Sequence, residues 1–112
     1  MHTVVEAPIF LKQIAALLTE EEHFRLIDVL ATDPLAGDEI PGTGGVRKIR
    51  FGSKGRGKRG GARVIYYFYN SRAPVYALLA YGKNAKTDLT PQEAKAVSAF
   101  VKEIKAIYGS KV

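Results

Sequence analysis

The chain has 112 residues, a length typical of one small domain, and 46% of them are hydrophobic, which is an ordinary globular composition. It contains no cysteine, so disulfides, cysteine nucleophiles and zinc–thiolate sites are excluded, and a reduced cytoplasmic location is expected. No run approaches the roughly 18 apolar residues of a membrane span, and the N-terminus lacks the basic start and long apolar run of a signal peptide.

The formal net charge is +6, and the positive charge is concentrated in the middle of the chain. From Ile40 to Thr87 the sequence holds eleven Lys and Arg and no acid. Such a block repels itself unless an anion lies against it, and nucleic-acid phosphates are the commonest such anion. The pattern favours a phosphate-binding face over two alternatives, a solvated surface and a site for an acidic protein partner.

The N-terminal third predicts a short strand and two helices. His2–Val5 reads as a strand, and near-helical spacing of apolar residues predicts a helix over Ala7–Leu18. The Thr19–Glu22 segment is a capping box that starts a second helix, which runs to about Ala31. Its predicted buried side comprises Phe24, Leu26, Ile27 and Leu30. The segment Leu35–Gly45 is expected to be a loop.

The middle of the chain predicts three strands, because β-branched and aromatic residues dominate and the periodicity changes to two. The strands are Val46–Phe51, Ala62–Tyr69 and Val75–Gly82. The glycine-rich segment Gly52–Gly61 is expected to join the first two as a long hairpin loop, and Asn70–Pro74 joins the last two as a short turn.

A second capping box predicts the last helix, with Thr90 as the cap and Glu93 closing the box. The helix is expected to run to about Tyr108, with Gly109 as its C-cap. Its predicted apolar face comprises Val97, Phe100, Val101, Ile104 and Ile107. The elements predict a single α+β domain over residues 1–112: an N-terminal helical hairpin, a small twisted antiparallel sheet and a C-terminal helix.

Alternation along the strands sorts the charges by face. The helices are expected to cover the face that holds Ile49, Phe51, Val64, Tyr66 and Phe68. The opposite, open face then brings together Lys48, Arg50, Arg63 and Tyr67. The glycine-rich loop is expected to hang over one end of this face, with the cations Lys54, Arg56, Lys58 and Arg59.

Two stretches of the sequence, GTGGVRKIRFGSKGRGKRGGARVIYYFY and YALLAYGKNAKTDLT, resemble the RelE/ParE superfamily of bacterial toxins, and within it the HigB branch of type II toxin–antitoxin systems. The resemblance covers essentially the whole chain. It implies an mRNA interferase that cuts messenger RNA in the decoding site of a translating ribosome. It also implies a cognate HigA-like antitoxin with a helix-turn-helix, which silences the toxin and makes the DNA contacts of the complex. The implied fold is a twisted antiparallel sheet with helices on one face and RNA on the other.

The resemblance also implies site residues. The family's basic pair on the first core strand matches Lys48 and Arg50, and its arginine on the following strand matches Arg63. The Y-G-K end of the last strand matches Tyr81 and Lys83 with the glycine between them. The implied catalytic set is Lys48, Arg50, Arg63 and Lys83, and the predicted RNA- or ribosome-binding set is Arg47, Lys54, Arg56, Lys58, Arg59, Tyr67 and Tyr81.

The chain departs from the family pattern at two positions. Many RelE relatives carry an arginine and a later tyrosine where this chain has Asn84 and, roughly, Thr90. We hypothesise that Lys54, Lys58 or Lys83 replaces the missing cation, and that Tyr67 or Tyr81 replaces the missing aromatic residue.

Metal-free cleavage needs a base for the ribose 2′-hydroxyl, cations for the phosphorane and an acid for the leaving 5′-oxygen. No carboxylate lies near the basic motif in the sequence, and His23, in the second helix, is interpreted as a structural or surface residue. Arg50 and Arg63 are expected to clamp phosphate, because arginine stays protonated and its planar fork fits the anion. Lys48 is the predicted base if its neighbouring cations favour the neutral amine, and otherwise a clamp. No metal or cofactor is expected.

Other functions remain open at this point. A ParE-like toxin directed against DNA gyrase would share the fold but would not need a convergent basic cluster. A non-catalytic RNA- or ribosome-binding module would stack bases on aromatic side chains, for which the run Tyr66–Tyr69 is available. A DNA-binding regulator is disfavoured, because the two N-terminal helices carry only Lys12 and Arg25.

Overall fold

The computed structural model describes residues 1–52, 61–82 and 88–109. In chain order its elements are β1 (Val4–Glu6), α1 (Pro8–Leu17), α2 (Glu20–Thr32), β2 (Asp38–Glu39), β3 (Arg47–Phe51), β4 (Ala62–Tyr67), β5 (Val75–Gly82) and α3 (Pro91–Gly109). The predicted α+β class, the three helices and the three core strands are confirmed. The two-residue strand β2 lies where a loop was predicted, since it is too short to show a periodicity and exists only by pairing with β3. None of the described helices combines the length and apolarity needed to cross a bilayer.

Both predicted capping boxes are present. The Thr19 amide donates to the Glu22 carboxylate at 2.8 Å, and the Glu22 amide donates to the Thr19 hydroxyl at 3.1 Å. Thr90 and Glu93 make the same reciprocal pair at 2.9 and 3.1 Å. These bonds satisfy amides that have no partner within the helix, so α2 and α3 begin where the sequence predicts.

The sheet has the strand order β1-β5-β4-β3-β2. The core strands β3, β4 and β5 are antiparallel, as predicted, but β1 pairs with β5 in parallel. The sheet is therefore mixed. A parallel neighbour needs a crossover connection, and here α1, α2 and the strands β2, β3 and β4 lie between β1 and β5 in the chain.

The helices cover both faces of the sheet, and the prediction that they lie on one face is wrong. On one face α1 and α2 pack over the predicted apolar residues of β3 and β4, including Val64 and Tyr66. On the opposite face α3 packs over Val46, Ile65 and Tyr67. The reason lies in β4, which is buried at all six of its positions. A strand that is apolar on both sides needs cover on both sides.

Two residues predicted to be buried, Phe24 and Ile107, are exposed. The buried stripe of α2 passes through Leu26 and Leu30 at four-residue spacing, which leaves Phe24 on the other side of the helix. In α3 the stripe ends at Ile104, three residues before Ile107.

A β-bulge interrupts the pairing of β4 with β5. Ile65 pairs with Leu79, whereas Tyr66 pairs with Ala77, so Leu78 is the extra residue. Leu78 and Leu79 both pack in the core beneath α3. The bulge thus shifts the alternation of β5 by one residue.

A tyrosine pair joins β5 to α3 and predicts an alkaline loss of stability. Burial, with a contribution from the hydrogen bond to Tyr108, raises the pKa of Tyr76 to about 12 from an ordinary value of 10.0. Above pH 10 the unfolded chain releases this proton while the folded chain retains it, so the free energy of unfolding falls as the pH rises towards 12. Below pH 10 both states hold the proton and the contribution is intact.

We expect this fall to be less steep in Tyr76→Phe than in the wild type, measured by urea unfolding at a series of pH values. The tyrosines other than Tyr76 and its partner Tyr108 have the same surroundings in both proteins, so their contributions cancel in the comparison. Identical slopes would contradict the assignment.

A cationic cleft as the candidate active site

A cleft of about 460 Å³ lies at the end of the sheet face that α3 leaves open. It is lined by Ala36, Gly37, Asp38, Lys48, Ile49, Arg50, Arg63 and Asp88. The strands β3 and β4 form its floor. The segment Ala36–Asp38, before and within β2, forms one wall, and Asp88, just before α3, lies on the other side. The cleft therefore gathers residues from four separate parts of the sequence.

Three of the predicted catalytic cations meet in this cleft. Lys48 and Arg50 lie two residues apart on β3, so they point to the same face. Arg63 is the direct ladder partner of Arg50 across the β3–β4 pair, and side chains so paired have Cβ atoms about 4.5–5.5 Å apart. The structure thus brings the three cations together, and their catalytic roles stay predictions.

The three cations have different environments. Arg50 is exposed, whereas Arg63 is only 9% exposed and lies at the base of the cleft. Lys48 is half-buried, and its Nζ lies 3.4 Å from the Asp88 Oδ1. Lys48 is the donor in this contact, which fits the predicted clamp role, in which the lysine donates to an anion.

The carboxylate of Asp88 is a feature of the cleft that sequence reasoning missed. It stands 40 residues beyond Lys48 in the chain, and its side chain is 81% exposed. Asp38 contributes a second carboxylate to the lining. The sequence does contain a signal for Asp88: it lies between the end of β5 and the Thr90 cap, so the start of α3 fixes its position.

Tyr81 lies beside the cleft as the ladder partner of Arg63. Burial raises the pKa of the Tyr81 phenol, the Asp88 carboxylate raises it further, and the Arg63 guanidinium opposes the shift. The phenol is therefore neutral near pH 7. The ring is only 7% exposed and belongs to the core beneath α3, so it offers no free face on which an RNA base could stack.

Tyr67 is not on an open face, and this prediction is wrong. Its side chain is 2% exposed, because α3 covers this end of the sheet face. The ring lies against Tyr69 in a stacked arrangement with centroids 6.4 Å apart. Tyr67 therefore contributes to packing and not to a surface for RNA.

Arg47, predicted to bind RNA, contacts the wall of the cleft, and its role in binding stays a prediction. Its guanidinium donates to the carbonyl oxygens of Gly37 at 2.6 Å and Leu35 at 3.3 Å, and it pairs with the Glu39 carboxylate at 3.3 Å. Strand alternation explains why Arg47 contacts the wall while Lys48 faces the cleft, since the two residues lie on opposite sides of β3.

Tyr66, in the core, makes hydrogen bonds to the same segment before β2. Its buried hydroxyl donates to the Pro34 carbonyl at 2.8 Å and accepts from the Gly37 amide at 2.8 Å. A Cβ at Gly37 would lie 2.8 Å from the Lys48 carbonyl oxygen and 2.9 Å from the Tyr66 ring. Only glycine at position 37 allows the backbone to approach this closely, so the wall packs directly against β3, the strand that carries Lys48.

The remaining predicted site residues, Lys54, Arg56, Lys58, Arg59 and Lys83, lie outside the described residues, and their roles stay predictions. The two histidines lie elsewhere in the molecule. His23 contacts the Glu6 carboxylate at 2.5 Å, and His2 packs edge-on against Phe68. In the described part of the chain, neither contributes to the lining of the cleft.

A protein-family model matches the part of the chain that contains most of the cleft. The model described as RelE toxin of the RelE/RelB toxin–antitoxin system matches residues 38–112, which is more than half of the chain. The matched span contains Lys48, Arg50, Arg63 and Asp88. The polar and charged residues that line the cleft therefore all lie within the matched region.

Proposed function

The chain belongs to the RelE toxin family of toxin–antitoxin systems, and from this premise we propose that it is a ribosome-dependent mRNA endoribonuclease of the HigB branch. It inhibits translation by cutting messenger RNA without a metal, through attack of the ribose 2′-hydroxyl on the adjacent phosphate. The superfamily resemblance of the sequence is confirmed by the family match. The HigB assignment rests on the motif around Arg63.

The observation that carries this proposal is the convergence of Lys48, Arg50 and Arg63 in one cleft. The transition state of the reaction is a phosphorane that gains negative charge, and donors preorganised around that charge lower the barrier. Arg63 is the most effective of the three, because burial removes competing water and strengthens its interaction with the anion. Arg50 lies opposite it and clamps a second phosphate oxygen.

Lys48 completes the clamp from the wall of the cleft. Its 3.4 Å contact with Asp88 is longer than the roughly 2.7–2.9 Å of a strong charge-assisted hydrogen bond. Transfer of Lys48 from that carboxylate to an RNA phosphate therefore costs little. RNA binding exchanges one anionic partner of the lysine for another.

The family supplies the class of partner, an antitoxin. We propose that this antitoxin is HigA-like, that its helix-turn-helix makes the DNA contacts of the complex, and that the toxin acts in the cytoplasm, where it meets the ribosome. The predicted docking cations Lys54, Arg56, Lys58 and Arg59 would contact ribosomal RNA, since they lie in a stretch of the sequence that holds no acidic residue.

Brief expression of the toxin tests the proposal. We expect primer extension to reveal new 5′ ends within translated regions of messengers, because cleavage requires a ribosome. In a purified system, the same messenger should be cut on ribosomes and remain intact without them.

Two outcomes would contradict the nuclease and favour another function. Arrested growth with intact messengers and altered plasmid topology would indicate a gyrase-directed toxin. Ribosome binding without cleavage would indicate a non-catalytic RNA-binding module.

A further inference from the structure

We infer that Asp88 is the general base of the proposed nuclease, and that its carboxylate takes the proton from the attacking ribose 2′-hydroxyl. The inference rests on the proposed function, and it adds a catalytic residue that the basic motif does not contain. It places the proton-accepting group on the approach to α3, outside the two strands that carry the phosphate clamp.

The chemistry of the cleft supports a carboxylate in this role. Arg50 and Arg63 stay protonated at any accessible pH, so neither accepts a proton. Lys48 already donates a hydrogen bond to Asp88, so its nitrogen is engaged as a donor. Within residues 1–52, 61–82 and 88–109, the cleft-lining groups able to accept a proton near neutral pH are the carboxylates of Asp38 and Asp88.

Both carboxylates lie near Lys48, since Asp38 is its ladder partner on β2, and the side-chain contact to the lysine distinguishes Asp88. Asp88 is in direct contact with Lys48, one of the groups that bind the phosphate. In a reactive conformation the attacking oxygen lies about 3–3.5 Å from the phosphorus, so a base next to the clamp is within reach of the 2′-hydroxyl. The high exposure of the Asp88 side chain leaves it accessible to a bound nucleotide.

The reaction balances as an internal displacement. The 2′-O–H bond breaks and its proton passes to an Asp88 Oδ atom, while the 2′-oxygen bonds to phosphorus. The bond from phosphorus to the 5′-oxygen breaks with its electron pair, and that oxygen takes a proton from solvent water. Asp88 then returns its proton to solvent, and the products are a 2′,3′-cyclic phosphate and a 5′-hydroxyl.

A simpler role for Asp88 makes the opposite prediction. If Asp88 served only as a counterion for Lys48, removing its charge would free the lysine for RNA. The affinity for RNA would then rise and the cleavage rate would be unchanged or higher. If Asp88 is the base, the rate falls and the affinity does not.

The experiment measures single-turnover cleavage of a messenger on purified ribosomes, together with the toxin concentration at half-saturation. We expect Asp88→Asn to lower the cleavage rate by about 10²–10⁴-fold without raising the half-saturating concentration. Asparagine keeps an oxygen that can still accept from Lys48, so loss of lysine positioning does not explain such a result. Asp88→Glu retains a carboxylate and should cleave faster than Asp88→Asn.

Matched variants complete the test. Asp28→Asn makes the same chemical change on an exposed part of α2 and should cleave like the wild type. Unchanged near-ultraviolet circular dichroism in Asp88→Asn would exclude a folding defect.

If Asp88→Asn cleaves at the wild-type rate, the inference about Asp88 is overturned while the proposed function stands. The same holds if Asp38→Asn, and not Asp88→Asn, loses about 10²–10⁴-fold in cleavage rate. A wild-type protein that fails to cut ribosome-bound messenger would instead overturn the proposed function, and the inference with it.

Discussion

Replacing Arg63 with alanine is expected to lower the rate of messenger cleavage by about 10²–10³-fold and to abolish toxicity. Arg63 is the most buried cation among the described residues of the cleft, and the proposed mechanism places the developing charge of the phosphorane against its guanidinium. A fixed donor of this kind contributes to the transition state more than to substrate binding. The loss should therefore appear mainly in the cleavage rate and less in the half-saturating toxin concentration.

Two further variants make the Arg63 result specific. Arg63→Lys keeps the charge but loses the planar fork that binds two phosphate oxygens, so an intermediate rate is expected. Arg72→Ala removes another arginine of the same acid-free block, but from the turn at the far end of β4 and β5, and should leave toxicity unchanged. Growth after induction and the ribosomal cleavage assay both measure the effect. Full toxicity of Arg63→Ala in a folded protein would mean that the active site lies elsewhere.

Tyr66→Phe is expected to have the largest effect on stability among conservative substitutions in the sheet. The Tyr66 hydroxyl satisfies two buried backbone groups, the Gly37 amide and the Pro34 carbonyl, at 2.8 Å each. Phenylalanine leaves both groups without this partner, and each unsatisfied buried group costs about 1–3 kcal/mol. We expect the free energy of unfolding to fall by about 2–4 kcal/mol, measured by urea denaturation near pH 7.

The control for this substitution is Tyr69→Phe. It makes the same chemical change at a half-buried position just beyond the same strand, where the expected effect is within about 0.5 kcal/mol. Equal stabilities of Tyr66→Phe and the wild type would show that water replaces the hydroxyl at the wall.

The parts of the fold that depend on a few adjacent residues were predictable. Each capping box is complete within four residues, so the starts of α2 and α3 follow from the sequence alone. The meeting of Lys48, Arg50 and Arg63 also follows from local information, because alternation orients the side chains and the hairpin sets the pairing.

The parts that depend on distant contacts were not predicted. The position of α3 requires a choice between the two faces of the sheet, and the apolar run Val64–Tyr67 of β4 was the available evidence that both faces are covered. The contact between Lys48 and Asp88 joins residues 40 positions apart, so proximity in the sequence is the wrong criterion for cleft carboxylates. The bonds of Arg47 to the wall are also long-range and have no signature in the basic motif.

The direct pairing of Arg50 with Arg63 has a thermodynamic consequence for the whole toxin. Like charges placed opposite each other on neighbouring strands destabilise a sheet, so this pair contributes a repulsion to the folded state. An anion that binds between the two arginines relieves that repulsion, and by linkage it stabilises the folded chain as well as its own complex. The pair therefore lowers the stability of the folded chain, and any anion bound between the two arginines, such as a phosphate or a carboxylate, raises it.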